Sequence, residues 1–124
     1  MLTQEQITSY SKNGFLAVEN VLSEQEVADL RRVTDEFVAQ SAAFTENTDI
    51  FDLEPGHTAE APRVRRLKDP PKQHPFYDNI LRHPKILDIV AELIGPGIRT
   101  NGSKLNMKSP QGGSAVEWHQ DWAF

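Results

Sequence analysis

Apolar positions along the chain fall first into helical spacing and only near its end into alternation. Thr3 followed by Gln6 forms a capping-box pattern, which predicts a short helix from about Gln4 to Lys12, closed near Gly14. "GFLAVEN" reads as a short strand. Ser23 with Glu26 is a second capping box. Behind it Val27, Leu30, Val33 or Thr34, Phe37 and Val38 repeat at helical spacing, so a helix is expected from about Glu24 to Ala42. Glu24, Asp29, Arg31, Arg32 and Glu36 mark its solvated face. From Phe44 to Pro62 the pattern weakens, and "EPGHTAEAP" reads as a loop. "RVRRLKD" is a candidate strand, "PPKQHP" an irregular connection, and "FYDNILRH" one or two helical turns. Pro84 suits a helical first turn, and Ile86, Leu87, Ile89, Val90, Leu93 and Ile94 form a broad apolar stripe stopped by Gly95-Pro96.

After that helix the period changes. In "IRTNGSKLNMK", Ser103, Leu105 and Met107 alternate with Lys104, Asn106 and Lys108. "SPQGGSA" is a loop. "VEWHQDWAF" reads as a strand whose two faces carry Val116, Trp118, Gln120 and Trp122 against Glu117, His119 and Asp121. Core packing is the preferred role of the two tryptophans. Helices first and strands last favour α+β over an alternating α/β order.

Composition changes this picture little. The 124 residues suffice for one domain, and a formal net charge of −5 without a basic stripe argues against nucleic acid as a partner. The absence of cysteine excludes disulfides, zinc-thiolate sites and thiol nucleophiles. No secretory signal pattern opens the chain and no apolar run reaches the length of a membrane span, so no membrane partner and a cytoplasmic location are expected.

The candidate chemistry lies at the end. On a strand, His119 and Asp121 would point the same way, two of the three ligands of a 2-His-1-carboxylate iron site. Such a site holds one face of Fe(II) and leaves the other open for a bidentate cosubstrate and O2. Lys104, Asn106 and Lys108, one loop earlier, would supply donors for an anionic cosubstrate. Zinc-dependent hydrolysis is an alternative use of the same pair, and a non-catalytic remnant or interaction module is another.

"KLNMKSPQGGSAVEWHQDWAF" resembles the iron-binding segment of the phytanoyl-CoA dioxygenase family, Fe(II)- and 2-oxoglutarate-dependent oxygenases. "YSKNGFLAVENVLSEQEVADLRR" and "HPKILDIVAELIGPGIR" resemble that family's leading helix–strand–helix and the helix before its first core strand. The resemblance implies that His119 and Asp121 are iron ligands. It also implies that Lys104 lies at a 2-oxoglutarate-contacting position and that Arg66, with Arg65 and Lys68 as alternatives, is a basic cosubstrate-binding residue. Asn106 and Lys108 join them as pocket candidates. The implied fold is a double-stranded β-helix, or jelly-roll, of about eight strands. The chain would form a single domain over 1–124, with a helical lead-in over 1–97 and the first core strands over 98–124, the barrel incomplete. The distal histidine and the carboxylate-clamping Arg or Lys of the family are not matched. His57 follows Pro-Gly, and His74 and His83 precede prolines, so all three read as loop or helix-boundary residues. The implied reaction hydroxylates a small organic substrate with O2 while 2-oxoglutarate loses CO2 to give succinate. A fragment of a longer enzyme is the expected status, with exposed strands open to self-association or a second chain.

Overall fold

The computed structural model describes residues 1–110 and 112–119. In order, its elements are α1 (Gln4–Asn13), α2 (Glu24–Ser41), β1 (Phe51–Leu53), β2 (Val64–Lys68), α3 (Pro70–Gln73), α4 (Pro75–Leu81), α5 (Pro84–Ile94) and β3 (Lys104–Asn106). Helices combined with a small antiparallel sheet make this an α+β chain. Two compact units divide it: residues Met1–Glu36 with Asp69–Ser103, and Phe37–Lys68 with the segment beginning at Lys104. The division falls within α2.

The first unit is helical and its ends are closed locally. The Thr3 hydroxyl accepts from the Gln6 amide at 3.2 Å while the Gln6 side chain accepts from the Thr3 amide at 2.8 Å. Gly14 takes the left-handed conformation, φ 79°, and its N–H donates to the Tyr10 carbonyl at 2.8 Å. Ser23 and Glu26 form the second reciprocal pair, and Glu26 Oε1 also accepts from His83 Nε2 at 3.1 Å. The Ser23 backbone and side-chain donors, and then His83, hold the Glu26 carboxyl below its usual range. "PPKQHP" is more ordered than an irregular connection. Pro70 opens the one-turn α3, and His74 Nδ1 accepts from the Phe76 amide at 3.1 Å to begin α4. Val33 and Tyr77 are buried, and the Tyr77 hydroxyl lies 2.8 Å from Thr34 Oγ1.

The second unit contains the sheet, in the order β1-β2-β3 with both pairings antiparallel. β1 lies in the weakly patterned stretch just ahead of the expected loop, where no strand was expected. Its alternation, Phe51 and Leu53 against Asp52 and Glu54, is too short to stand out among polar neighbours. Asp52 pairs with Arg66 but Leu53 pairs with Val64, so Arg65 is an extra residue on β2. The bulge brings Val64 and Leu67, three positions apart, into the same core. There Phe51 and Leu67 are almost completely buried, and Phe51 meets Phe37 edge-on at a ring separation of 6.3 Å.

Two expected strands are not formed among the described residues. Residues 15–19 of "GFLAVEN" lie in irregular backbone, with Phe15 exposed. Residues 112–119 are also irregular, and Trp118 is fully exposed instead of packing in a core. An alternating pattern becomes a strand only where a neighbouring strand completes its hydrogen bonds, and no described strand lies beside either segment. Gln120, Asp121 and Trp122 fall outside the described residues, as does the remainder of the expected final strand.

Candidate functional site

The sheet gathers several of the basic and amide residues singled out from the sequence. β-Pairing sets Asp52, Arg66 and Asn106 in one row across the three strands, and sets Lys68 opposite Lys104. Residues i and i+2 share a face, so Arg66 and Lys68 project together with Asn106 and Lys104. Arg66 Nε donates to Asn106 Oδ1 at 3.1 Å, and its Nη1 lies 3.3 Å from Asp52 Oδ2. Lys68 Nζ lies 2.8 Å from Asp52 Oδ1 and donates to the Thr48 carbonyl at 2.7 Å. Asp52 therefore orients two cations with one half-buried carboxylate. Three cations, Arg66, Lys68 and Lys104, share the face with that single negative charge, so the face keeps a positive excess. Lys104 and Asn106 are exposed, while the intervening Leu105 is half-buried, in agreement with the alternation of the sequence.

The same geometry separates the three alternatives around Arg66. Lys68 shares its face. Arg65, displaced by the bulge, instead acts on Glu54, lowering its pKa. Lys108 also leaves the Arg66 row: its ammonium donates to the Ser114 carbonyl and its charge acts on Glu54.

His119 is exposed on the irregular segment, with Nδ1 2.6 Å from the Glu117 carbonyl. A carbonyl only accepts, so Nδ1 carries the proton and the lone pair of the neutral ring resides on Nε2. Metal-binding histidines commonly hold their other ring nitrogen in this way, so the donor chemistry of His119 suits a ferrous ion. Asp121 lies outside the described residues, and among the described residues no cluster of three histidine or acidic side chains could hold a metal.

The remaining histidines have local duties. His57 Nδ1 accepts from the Arg63 amide at 2.8 Å, which places the proton on Nε2, within 3.2 Å of the Ser41 carbonyl and 3.1 Å of that of Phe44. It ties the β1–β2 connection to the end of α2. His74 opens α4 and His83 meets Glu26.

Sequence reasoning missed Asp52 and Glu54. Glu54 is only 5% exposed although charged, and its two oxygens accept from the Ser114 amide, at 2.8 Å, and the Ser114 hydroxyl. These two Ser114 donors, followed by Arg65 and Lys108, hold its pKa below the ordinary glutamate value against the effect of burial. The signal available in the sequence was the alternation "FDLE" ahead of Pro55-Gly56.

No helix among the described residues is long and apolar enough to cross a membrane. Comparison with known proteins gives relatives named as dioxygenases and a hydroxylase. The chain is 34% identical to a probable alpha-ketoglutarate-dependent hypophosphite dioxygenase of Stutzerimonas stutzeri, with 97% of this chain and 42% of that protein covered. It is 28% identical to the ectoine dioxygenase of Bordetella parapertussis, over 98% of this chain and 37% of that protein. It is also 28% identical to the L-proline trans-4-hydroxylase of Streptomyces griseoviridis, over 93% and 39% respectively. The chain thus spans about two fifths of the length of these relatives. The phytanoyl-CoA dioxygenase (PhyH) family profile matches residues 10–124, and on that extent the chain belongs to the phytanoyl-CoA dioxygenase family.

Proposed function

We propose that the protein containing this chain is an Fe(II)- and 2-oxoglutarate-dependent dioxygenase that hydroxylates a small organic substrate with O2. The observation that carries this reading is the match of the family across residues 10–124, which includes the Trp118-His119-Gln120-Asp121 segment. His119 and Asp121 are the metal ligands in this reading. Arg66, Lys104 and Asn106 form the cosubstrate-binding face, and Lys108 stands at its rim on the loop leading to His119. The names of two relatives, an ectoine dioxygenase and an L-proline hydroxylase, support a small substrate. In this reading residues 1–124 belong to one dioxygenase domain whose jelly-roll continues from 98–124; β3 is the strand described there, and β1 and β2 fall within the 1–97 lead-in. The edges of the sheet support continuation on one side. The Leu53 amide donates to Asn47 Oδ1 and the Phe51 carbonyl accepts from the Thr48 amide, which blocks the outer edge of β1, whereas β3 stands at the other edge.

When bound, the ferrous ion with 2-oxoglutarate supplies oxygen activation, coupling decarboxylation of the cosubstrate to hydroxylation of the substrate. The residues of the chain bind and orient. Asp52 holds Arg66 and Lys68 extended along the sheet face, and Asn106 fixes the Arg66 guanidinium at Nε. A carboxylate arriving at this face meets cationic donors already in place. The Glu117 carbonyl fixes the His119 tautomer.

The test is CO2 release from 2-oxoglutarate by the intact protein. Fe(II), and not Zn(II), supports it; His119→Ala abolishes it; Arg66→Ala raises the KM for 2-oxoglutarate by about ten- to a hundredfold, the loss of one charge-assisted contact. Undiminished turnover in His119→Ala overturns the assignment.

A further inference from the structure

Glu54 is a buried carboxylate whose chief partners are donors of one distant residue, Ser114, sixty positions further along. A buried carboxylate is costly unless its oxygens are satisfied, so this contact is strongly directional: Ser114 must stay where Glu54 is. Three other observations converge on the same short backbone. Arg63 Nη2 donates to the Gly112 carbonyl at 2.6 Å. The Lys108 ammonium donates to the Ser114 carbonyl. A Cβ on Gly113 would lie 3.0 Å from Lys108 Cδ, 3.2 Å from Lys108 Cα and 3.5 Å from Glu54 Oε1, so the backbone at Gly113 runs close against Lys108.

Both anchors come from the ends of paired strands. Glu54 directly follows β1 and Arg63 directly precedes β2, and the Glu54 amide donates to the Arg63 carbonyl at 2.9 Å. His57 closes the connection between them by accepting from the Arg63 amide and donating to carbonyls at the end of α2. The backbone from Gly112 to Ser114 is therefore seated on a braced hairpin, five residues before His119.

We propose that Glu54 is a positioning residue for the metal-ligand segment: through Ser114, and with Arg63 and Lys108 beside it, it sets where the chain leading to His119 leaves the sheet. This rests on the reading of His119 as a metal ligand. The irregular segment has no strand partner among its described residues, so the anchoring at Ser114 replaces the ladder that would otherwise fix it.

The experiment uses the intact protein with Glu54→Gln, Ser114→Ala and, as a control for charge, Glu46→Gln on an exposed site. Amide hydrogen exchange at residue 114, whose N–H is bonded to Glu54, accelerates about tenfold or more in Glu54→Gln, and less in Ser114→Ala, which keeps the backbone donor; α1 and α5 exchange as in wild type. Co(II), used as a spectroscopic substitute for the ferrous ion, binds about tenfold more weakly to Glu54→Gln, the scale expected when a ligand loses its support. Glu46→Gln matches wild type in both. If Glu54→Gln does not fold, Ser114→Ala decides alone. Exchange at residue 114 within twofold of wild type in folded variants overturns the proposal. So does acceleration spread equally through α1 and α5, which would mark general destabilisation. Wild-type protein that takes up no Co(II) overturns the reading of His119, and the exchange data then judge the anchoring separately.

Discussion

The helical unit and the sheet unit are built from contacts of different reach. In the first, the defining polar contacts are mostly local: Thr3 with Gln6, Ser23 with Glu26, His74 with Phe76. In the second they join distant segments: Arg66 with Asn106, Arg63 with Gly112, Glu54 with Ser114. A local contact restricts few backbone angles and forms early. A long-range contact closes a loop first and depends on everything that keeps the loop closed. The candidate chemistry sits on the long-range side. His119 and the Arg66 face therefore rest on contacts that a single substitution can remove, whereas most helix ends of the first unit are capped within a few residues.

Removing a central side chain of the sheet unit sharpens this contrast most. Phe51→Ala deletes a nearly fully buried ring that meets Phe37 and Phe44, and is expected to cost about 3–5 kcal/mol in urea unfolding. Loss of the Arg66–Asn106 contact should accompany it, read from their side-chain NMR signals, while the α1 amides stay protected. Equal loss of protection in α1 would break the distinction between the units.

Ser23→Ala removes a cap in the helical unit and is expected to cost about 1 kcal/mol, with fraying confined to the first turn of α2. A loss several times larger would mean that this end has more than local consequence.

A pH titration makes a smaller and more localised contrast. The folded pKa of Glu54 is depressed, so its contribution is complete above the ordinary glutamate value, about 4.3, and disappears as pH falls through the lower folded value. Glu26 follows the same sign in the helical unit, with Ser23 as the first cause. The Ser114 amide resonance should move only below that ordinary value in wild type and be flat in Glu54→Gln. Movement near neutrality would assign it to another group.

The smallest effect belongs to exposed pairs. Arg32 meets Glu36 at 2.8 Å and Asp29 at 3.4 Å on the open face of α2, and Arg32→Ala should leave the urea-unfolding midpoint nearly unchanged. A larger loss would show that this helix face is not simply solvated.

How far each unit was legible follows from the same difference in reach. Helix signals are complete within a few residues: the capping boxes at Thr3 and Ser23, Pro84 and Gly95 located α1, α2 and α5 nearly to their ends. Strand signals are incomplete without a partner. The alternation put Lys104, Asn106 and Lys108 on one strand face, yet only Lys104–Asn106 joins a ladder, and Lys108 turns to Ser114. "GFLAVEN" and the segment from Val116 to His119 have the alternation and lack the ladder.

By itself, then, the sequence determined α1, α2 and α5, the candidate ligand pair His119 and Asp121, and the basic character around Arg66, because capping, periodicity and residue chemistry are local properties. Tertiary structure alone decided that Asp52 would orient Arg66 and Lys68, that a bulge would turn Arg65 away from them, and that Glu54 would hold Ser114. Those outcomes depend on the register between strands, which is set by burial of Phe51 and Leu67 across the sheet and not by any neighbour in the chain.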